Sequence, residues 1–188
     1  LAQQATTNKP AAKPPAQKKE RKGTKWDLME VGPFFSSAVA GKPQTFKGVT
    51  IKLGTNASVC FDTELMRMSA GWTGGFLRLP TGRDGLEGVP EVSGTIAFNT
   101  PRGPGWGKAG VFDDPRAVPV EDPKGRPAGA MPREWAHWSG LYVNGDKVVL
   151  SYTVGEARVL ELPGFSEQSG LPIFTRSFQV DNGKAPLD

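Results

Sequence analysis

The sequence predicts an all-β fold: an antiparallel β-sandwich or twisted barrel of about eight short strands, with one long Pro- and Gly-rich loop. Apolar residues alternate with polar ones in runs of strand length, as expected for strands with one buried face. Turn residues separate these runs, and the 188-residue chain contains 24 Gly and 17 Pro, a composition that disfavours a helical bundle. This length supports one domain with its own core.

The first elements are short. Residues 26–31 allow at most two helical turns before a Gly-Pro pair ends them. Alternating apolar residues predict strands at 45–53 and 57–62, joined by a turn at 54–56. Two shorter strands are predicted at 76–79 and 94–100.

The C-terminal third carries the strongest strand signals. An Asn-Gly pair between alternating apolar residues predicts a hairpin with strands at 141–143 and 147–154. A third strand at 157–162 completes a meander, and a last strand follows at 173–180. The segment 99–135 is dense in Pro, which predicts a long surface loop of the kind that is usually functional or disordered.

The charge is concentrated at the start of the chain, which predicts a disordered Lys-, Pro- and Ala-rich tail (1–25) ahead of a β-sandwich domain (26–188). Residues 1–25 hold seven Lys and Arg against one Glu, a balance of +6, whereas the other 163 residues hold 16 cations against 18 anions, a balance of −2. The tail has no aromatic residue to stack on bases, so we expect no specific nucleic-acid binding.

The first five residues predict export. They resemble the end of a cleaved signal peptide, with small residues near the cut and a polar spacer after it. No run approaches the ~18 apolar residues of a membrane helix, so we expect no membrane span. A location in the periplasm or cell envelope follows.

The single Cys and the single His exclude an intrachain disulfide, a multi-thiolate metal site and a two-His metal site within this chain. The Cys-x-x-Cys-His motif of haem attachment is also absent. We therefore expect no cofactor and no metal. Cys60 is predicted to be an inert, partly buried thiol and His137 a hydrogen-bonded structural residue.

Several tryptophans lie beside Gly or Pro at loop or strand-entry positions, where an indole ring can face solvent. Indole faces pack against the C–H faces of sugars, and nearby Arg and Asn side chains can hold the hydroxyls. The alternative is core packing, because Trp is highly buried on average. The residues predicted to form a saccharide cleft are Trp72, Arg78, Asn99, Trp106 and Trp138.

Three pairs of carboxylates lie close in sequence. Two acids at a suitable separation serve glycoside hydrolysis, one as the proton donor and the other as the base or nucleophile. The alternatives are solvated surface carboxylates and, for Asp113 with Asp114, calcium ligation. The pairs are Asp62 with Glu64, Asp113 with Asp114, and Glu121 with Asp122.

Longer strings carry a family resemblance. They are MEVGPFFS at 29–36, GVTIKLG at 48–54, VCFDTEL at 59–65, SAGWTG at 69–74, GPGW at 103–106, WSGLY at 138–142 and GDKVVLSYTVG at 145–155. Over 26–180 the chain resembles an N-terminal domain of unknown function in large exported multidomain bacterial proteins, often fused to c-type cytochrome or sugar-active modules. The resemblance implies an accessory or scaffolding role in an envelope redox or polysaccharide system, and brings no catalytic residues with it.

We therefore expect a non-catalytic binding or docking domain of a cell-envelope assembly. Its expected ligand is a saccharide or a partner protein, including a haem protein, and its expected surface joins the predicted cleft residues to the loop 99–135. Two alternatives stay open. One is a carbohydrate-active hydrolase using Asp113, Asp114 or Glu64, and the other is an accessory subunit of a c-type cytochrome electron-transfer complex.

Overall fold

The computed structural model describes residues 30–82, 87–118 and 125–181, and these residues contain strands and no helix. The predicted tail at 1–25 lies outside the described residues. The predicted helical turns at 26–31 are described only at their last two residues, which are not helical. The strands are β1 (Phe34–Val39), β2 (Thr45–Leu53), β3 (Ala57–Asp62), β4 (Arg67–Thr73), β5 (Leu77–Arg78), β6 (Glu91–Val92), β7 (Thr95–Asn99), β8 (Ala136–Asn144), β9 (Lys147–Val154), β10 (Ala157–Gln168) and β11 (Leu171–Val180).

The strands form two antiparallel sheets and a small ribbon. The larger sheet has five strands in the order β1-β2-β3-β4-β7, and the smaller has four in the order β11-β10-β9-β8. The ribbon pairs β5 with β6. Neither sheet closes into a barrel, so the predicted all-β, sandwich-like fold is confirmed and the barrel is not formed.

The main core lies between the two sheets. Alternate residues of β2 and β3 face alternate residues of β9 and β10, as period-two strands with one shared buried face require. Phe61 of β3 lies at the centre, with its ring 5.5 Å from the ring of Tyr152 on β9. The buried core residues are Val49, Ile51, Val59, Phe61, Leu65, Met66, Met68, Met131, Ala136, Val148, Leu150, Tyr152, Val154 and Val159.

A second apolar layer covers the opposite face of the five-stranded sheet. Val39, Cys60, Ala70 and Trp72 are buried there. Leu77 of β5 and Val92 of β6 pack against this group. The ribbon therefore covers this face, and the five-stranded sheet is buried on both faces around β3 and β4.

Each of the eight predicted strands has a counterpart in the structure, and three observed strands were not predicted. β2, β3 and β9 are confirmed, and β10 extends beyond its predicted end to Gln168. β4 was not predicted, although Met68, Ala70 and Trp72 alternate with polar or small residues along it and all its residues except the last are buried. β1 and the two-residue β6 are also additional strands.

The predicted loop 99–135 packs over the β3–β4 end of the sandwich where it is described. The Gly105 amide donates to the Leu65 carbonyl at 2.7 Å. A Cβ at Gly105 would lie 1.9 Å from the carbonyl oxygen of Met66, so only glycine fits this approach. The loop thereby brings Trp106 to the rim of the core. In the described residues no helix could cross a membrane.

Candidate ligand-binding cleft

A cleft opens where an edge strand of one sheet faces an edge strand of the other. We call it the edge cleft; it has a volume of about 470 Å³. β7 forms one wall and β11 the other, and Val59 and Met68 lie at its base. Its lining residues are Val59, Met68, Ala97, Phe98, Thr100, Pro172, Phe174, Thr175 and Arg176.

Aromatic rings form the apolar part of the edge cleft. Phe98 of β7 and Phe174 of β11 meet edge to face, with ring centroids 5.3 Å apart at 80°. Phe165 supports Phe174 from β10 at 5.1 Å. Both lining rings are only partly buried, so they present apolar surface at the open side of the sandwich.

A buried polar network fixes the charged end of the edge cleft. Arg176 donates from Nε to Glu161 Oε1 at 2.6 Å and from Nη2 to Glu161 Oε2 at 3.0 Å. Glu161 is fully buried, whereas the Arg176 side chain is 35% exposed. The Tyr152 hydroxyl donates to Glu161 Oε2 at 2.7 Å, and Trp106 Nε1 donates to that hydroxyl at 3.3 Å. The two hydrogen bonds from Arg176 to Glu161 hold the Arg176 guanidinium in one orientation.

The electrostatics of the network keep Arg176 charged and Tyr152 neutral. Burial lowers the pKa of Arg176, but the hydrogen bonds and charge of Glu161 outweigh burial and raise it. Burial, followed by the charge of Glu161, raises the pKa of Tyr152. Arg176 is therefore a permanent cation and Tyr152 a permanent donor. Such a network suits the holding of a ligand better than the transfer of a proton.

The structure does not bring the five predicted ligand residues into one cleft. Trp72 is fully buried beneath the ribbon, so the expectation that its ring faces solvent is wrong. Trp138 is partly buried in the main core, 5.7 Å from Phe61. Arg78 is exposed on the ribbon strand β5.

Two predicted residues lie close to the edge cleft. Asn99 is exposed on β7, between the lining residues Phe98 and Thr100. Trp106 is partly buried and contacts the network through Tyr152, and its ring lies 5.7 Å from that of Phe178 on β11. The loop 99–135 therefore contributes to this region through Trp106.

The sequence prediction missed the residues that carry the site. Phe174, Arg176 and Phe178 alternate along β11 and pair with Phe165, Pro163 and Glu161 of β10. All therefore share the face that points between the sheets. The available signal was one cation within an otherwise aromatic stripe, which is unusual for a core-facing strand.

Three of the candidate hydrolytic carboxylates, Asp62, Glu64 and Asp114, form ion pairs. Arg116 is buried and donates to both carboxylate oxygens of Asp114, at 2.9 and 2.8 Å. Glu64 lies 3.5 Å from the same guanidinium. Asp62 pairs with buried Arg67, and Asp113 is exposed. Glu121 and Asp122 lie outside the described residues.

Cys60 and His137 lie apart from the edge cleft. Cys60 is fully buried in the layer beneath the ribbon, and this burial raises the pKa of its thiol. His137 is partly exposed on β8, with Nε2 3.4 Å from Arg133. Across the described ranges no group of three or more His, Cys, Asp or Glu side chains could hold a metal ion.

Comparisons with known proteins identify a family. Searches of curated proteins and of solved structures each found no match to the chain. A family model described as a domain of unknown function, DUF6797, matches residues 59–161, more than half of the 188-residue chain. The matched segment runs from β3 to Glu161 on β10 and stops before β11. The chain therefore belongs to the DUF6797 family of domains of unknown function.

Proposed function

We propose that the chain is a non-catalytic binding or docking domain of a cell-envelope protein assembly, and that the edge cleft takes its ligand. The ligand is a saccharide or a segment of a partner protein. One observation carries the proposal: two partly buried aromatic rings meet at an open sheet edge beside a guanidinium that a buried carboxylate holds in place. Binding clefts combine apolar walls with a few oriented polar groups in this way.

The chemistry of the edge cleft favours a saccharide. The rings of Phe98 and Phe174 offer apolar surface to the C–H faces of a sugar. Arg176 supplies guanidinium N–H groups to its oxygens. A volume of about 470 Å³ falls within the ~300–1,000 Å³ typical of ligand pockets.

Retention of the full-length chain on a glycan array tests the proposal. We expect at least one glycan to retain the wild-type chain, and Phe174→Ala to lose that retention because the variant removes one wall of the edge cleft. Ala97→Arg is a second variant, because it adds a long side chain at an exposed lining position and leaves the core intact. Phe112→Ala is the matched control, since Phe112 is an exposed aromatic residue, 56% accessible, that does not line the cleft.

The outcomes separate the proposal from its alternatives. Retention that Phe112→Ala keeps and both cleft variants lose supports the proposal. Equal retention of all variants contradicts the assignment of the edge cleft. Turnover of chromogenic glycosides by the wild-type chain, lost in Glu64→Gln or Asp114→Asn, would contradict the non-catalytic function. Co-purification with a haem protein that Ala97→Arg leaves unchanged would place the docking surface elsewhere.

A further inference from the structure

A second pocket adjoins the edge cleft beside the β10–β11 hairpin, and it has a volume of about 370 Å³. Phe165 of β10 lines this pocket, and its ring centroid lies 5.1 Å from that of Phe174, which lines the edge cleft. The two openings therefore meet at one pair of aromatic rings. We call the second opening the Pro163 pocket; its walls are residues 51–56, 146–148 and 162–165.

The proline in β10 determines which backbone groups face the Pro163 pocket. The ladder between β9 and β10 runs from Ala157 to Glu161, and Pro163 has no N–H with which to continue it. Val154 and Ala157 flank a two-residue turn, so they exchange both hydrogen bonds, and every second residue of β9 back to Val148 directs its backbone towards β10. The Val148 carbonyl lines the pocket and receives no donor from Pro163.

Phe165 brings a further donor and acceptor to the Pro163 pocket. It continues the same alternation, so its N–H and C=O point to the side of β9 and away from β11. The register places it opposite Asp146, in the turn that precedes β9. Exposed Asn56 and Asp146 also line the pocket. The pocket therefore combines an aromatic ring with several neutral hydrogen-bonding groups and one carboxylate.

The charges around the Pro163 pocket do not favour an ionic ligand. Lys52 lines it, but the Lys52 Nζ donates to the Val31 carbonyl at 2.6 Å and lies 5.1 Å from the centroid of the Phe76 ring. Asp146 is followed directly by Lys147, which has the opposite charge. A neutral ligand rich in hydroxyl groups suits these walls, because a hydroxyl both donates and accepts hydrogen bonds.

We propose that the Pro163 pocket extends the edge cleft and that the two together take a neutral oligosaccharide chain. One sugar unit packs against Phe98 and Phe174 in the edge cleft. The following units pack against Phe165, and their hydroxyls bind the backbone groups of Val148 and Phe165. This inference rests on the proposed binding of a saccharide in the edge cleft and adds that the saccharide is a chain.

Calorimetric titration of the full-length chain with oligosaccharides of increasing length tests the inference. The probes are three neutral β-1,4-linked series, the cello-, xylo- and manno-oligosaccharides, each from two to six units. We expect the disaccharide of at least one series to bind, since it fills the edge cleft alone. We expect the hexasaccharide of that series to bind about tenfold more tightly, because it also reaches the Pro163 pocket.

Variants tie the length dependence to the Pro163 pocket. Pro163→Val supplies an N–H to the Val148 carbonyl and extends the ladder, so we expect the hexasaccharide to fall to the affinity of the disaccharide. Asn56→Ala combined with Asp146→Ala removes two exposed polar side chains from the walls and should reduce the same gain. Asn144→Ala is the matched control, since Asn144 is an exposed amide beside the same turn that does not line the pocket.

The outcomes distinguish the inference from the function on which it rests. Disaccharide binding that is lost in Phe174→Ala but kept in Pro163→Val, with the gain for the hexasaccharide lost in Pro163→Val, supports the inference. A hexasaccharide no tighter than the disaccharide, or a full gain in both pocket variants, overturns the inference and leaves the edge cleft in place. No binding at any length also overturns the inference, while the glycan array decides the proposed function separately.

Discussion

Two tryptophans with similar sequence surroundings end in opposite environments. Trp72 follows a glycine and Trp106 lies between two. Trp72 is fully buried, and its Nε1 donates to the carbonyls of Gly75 and Phe76 at 3.1 and 2.9 Å. Trp106 is partly exposed, and its Nε1 donates to the Tyr152 hydroxyl.

The difference arises from the layer that covers each ring. The ribbon of β5 and β6 lies over Trp72 and turns it into core. Trp106 lies at the rim of the main core, where Phe178 contacts one side of its ring and is itself 43% exposed. A neighbouring glycine therefore says little about exposure, because the element that covers the ring decides it.

Replacement of Trp72 should produce the largest loss of stability. Trp72→Ala leaves a cavity between the sheet and the ribbon, and we expect the free energy of unfolding to fall by about 3–5 kcal/mol. Urea unfolding measures it, with Trp106→Ala as the comparison. A loss for Trp106→Ala as large as that for Trp72→Ala would contradict the assignment of one ring to the core and the other to the rim.

Replacement of Arg176 should produce the next largest loss. Arg176→Met leaves Glu161 buried without its cation, and we expect a loss of about 2–3 kcal/mol, less than for a fully buried pair because the Arg176 side chain is 35% exposed. The double variant Glu161→Leu with Arg176→Met should recover most of this loss. No recovery in the double variant would mean that Arg176 stabilises the sheet by packing and not through the pair.

Removal of the Trp106 donor should have a smaller effect. Trp106→Phe keeps most of the ring packing and deletes the hydrogen bond to the Tyr152 hydroxyl, which contributes about 1 kcal/mol. Urea unfolding of Trp106→Phe beside Tyr152→Phe measures it. Since the hydroxyl also donates to Glu161, Tyr152→Phe should lose more than Trp106→Phe. The reverse order would contradict the network described here.

The carboxylates of Asp114 and Glu64, which both lie near Arg116, allow a still smaller test through the pH dependence of stability. The pKa of Asp114 is lowered below its ordinary 3.8, so its stabilisation is complete above that value and is lost as the pH falls through the folded-state pKa. Burial and then the charge of Asp62 raise the pKa of Glu64 above 4.5, so ionised Glu64 opposes folding at neutral pH and the penalty disappears on acidification.

The two carboxylates should therefore respond in opposite directions. At pH 7 Asp114→Asn should lose stability and Glu64→Gln should be neutral or gain it, each by less than about 1 kcal/mol. Unfolding free energies measured from pH 3 to pH 7 (roughly, the range in which carboxylates titrate) provide the check. A loss of stability in both variants would contradict the opposite pKa shifts of the two carboxylates.

The sequence predicted the strands better than it predicted the site. Strands with one buried face, such as β2 and β9, follow from alternation alone. β4 was missed although Met68, Ala70 and Trp72 alternate along it, whereas β3, which is buried at every residue, was predicted. The edge cleft joins Phe98 to Phe174 across two sheets, and local sequence carries no information about such a pairing. The burial of Trp72 was missed because the ribbon that covers it is only two residues long in each strand.

Chemical-shift mapping with the ligand that the full-length chain retains tests the central claim most directly. The edge cleft predicts that the largest saturable shifts occur on β7 and β11, at Phe98, Thr100, Phe174 and Thr175, while the indole N–H of Trp72 stays unmoved. Shifts that concentrate on β5, β6 and Trp72, with β7 and β11 unaffected, would contradict the account.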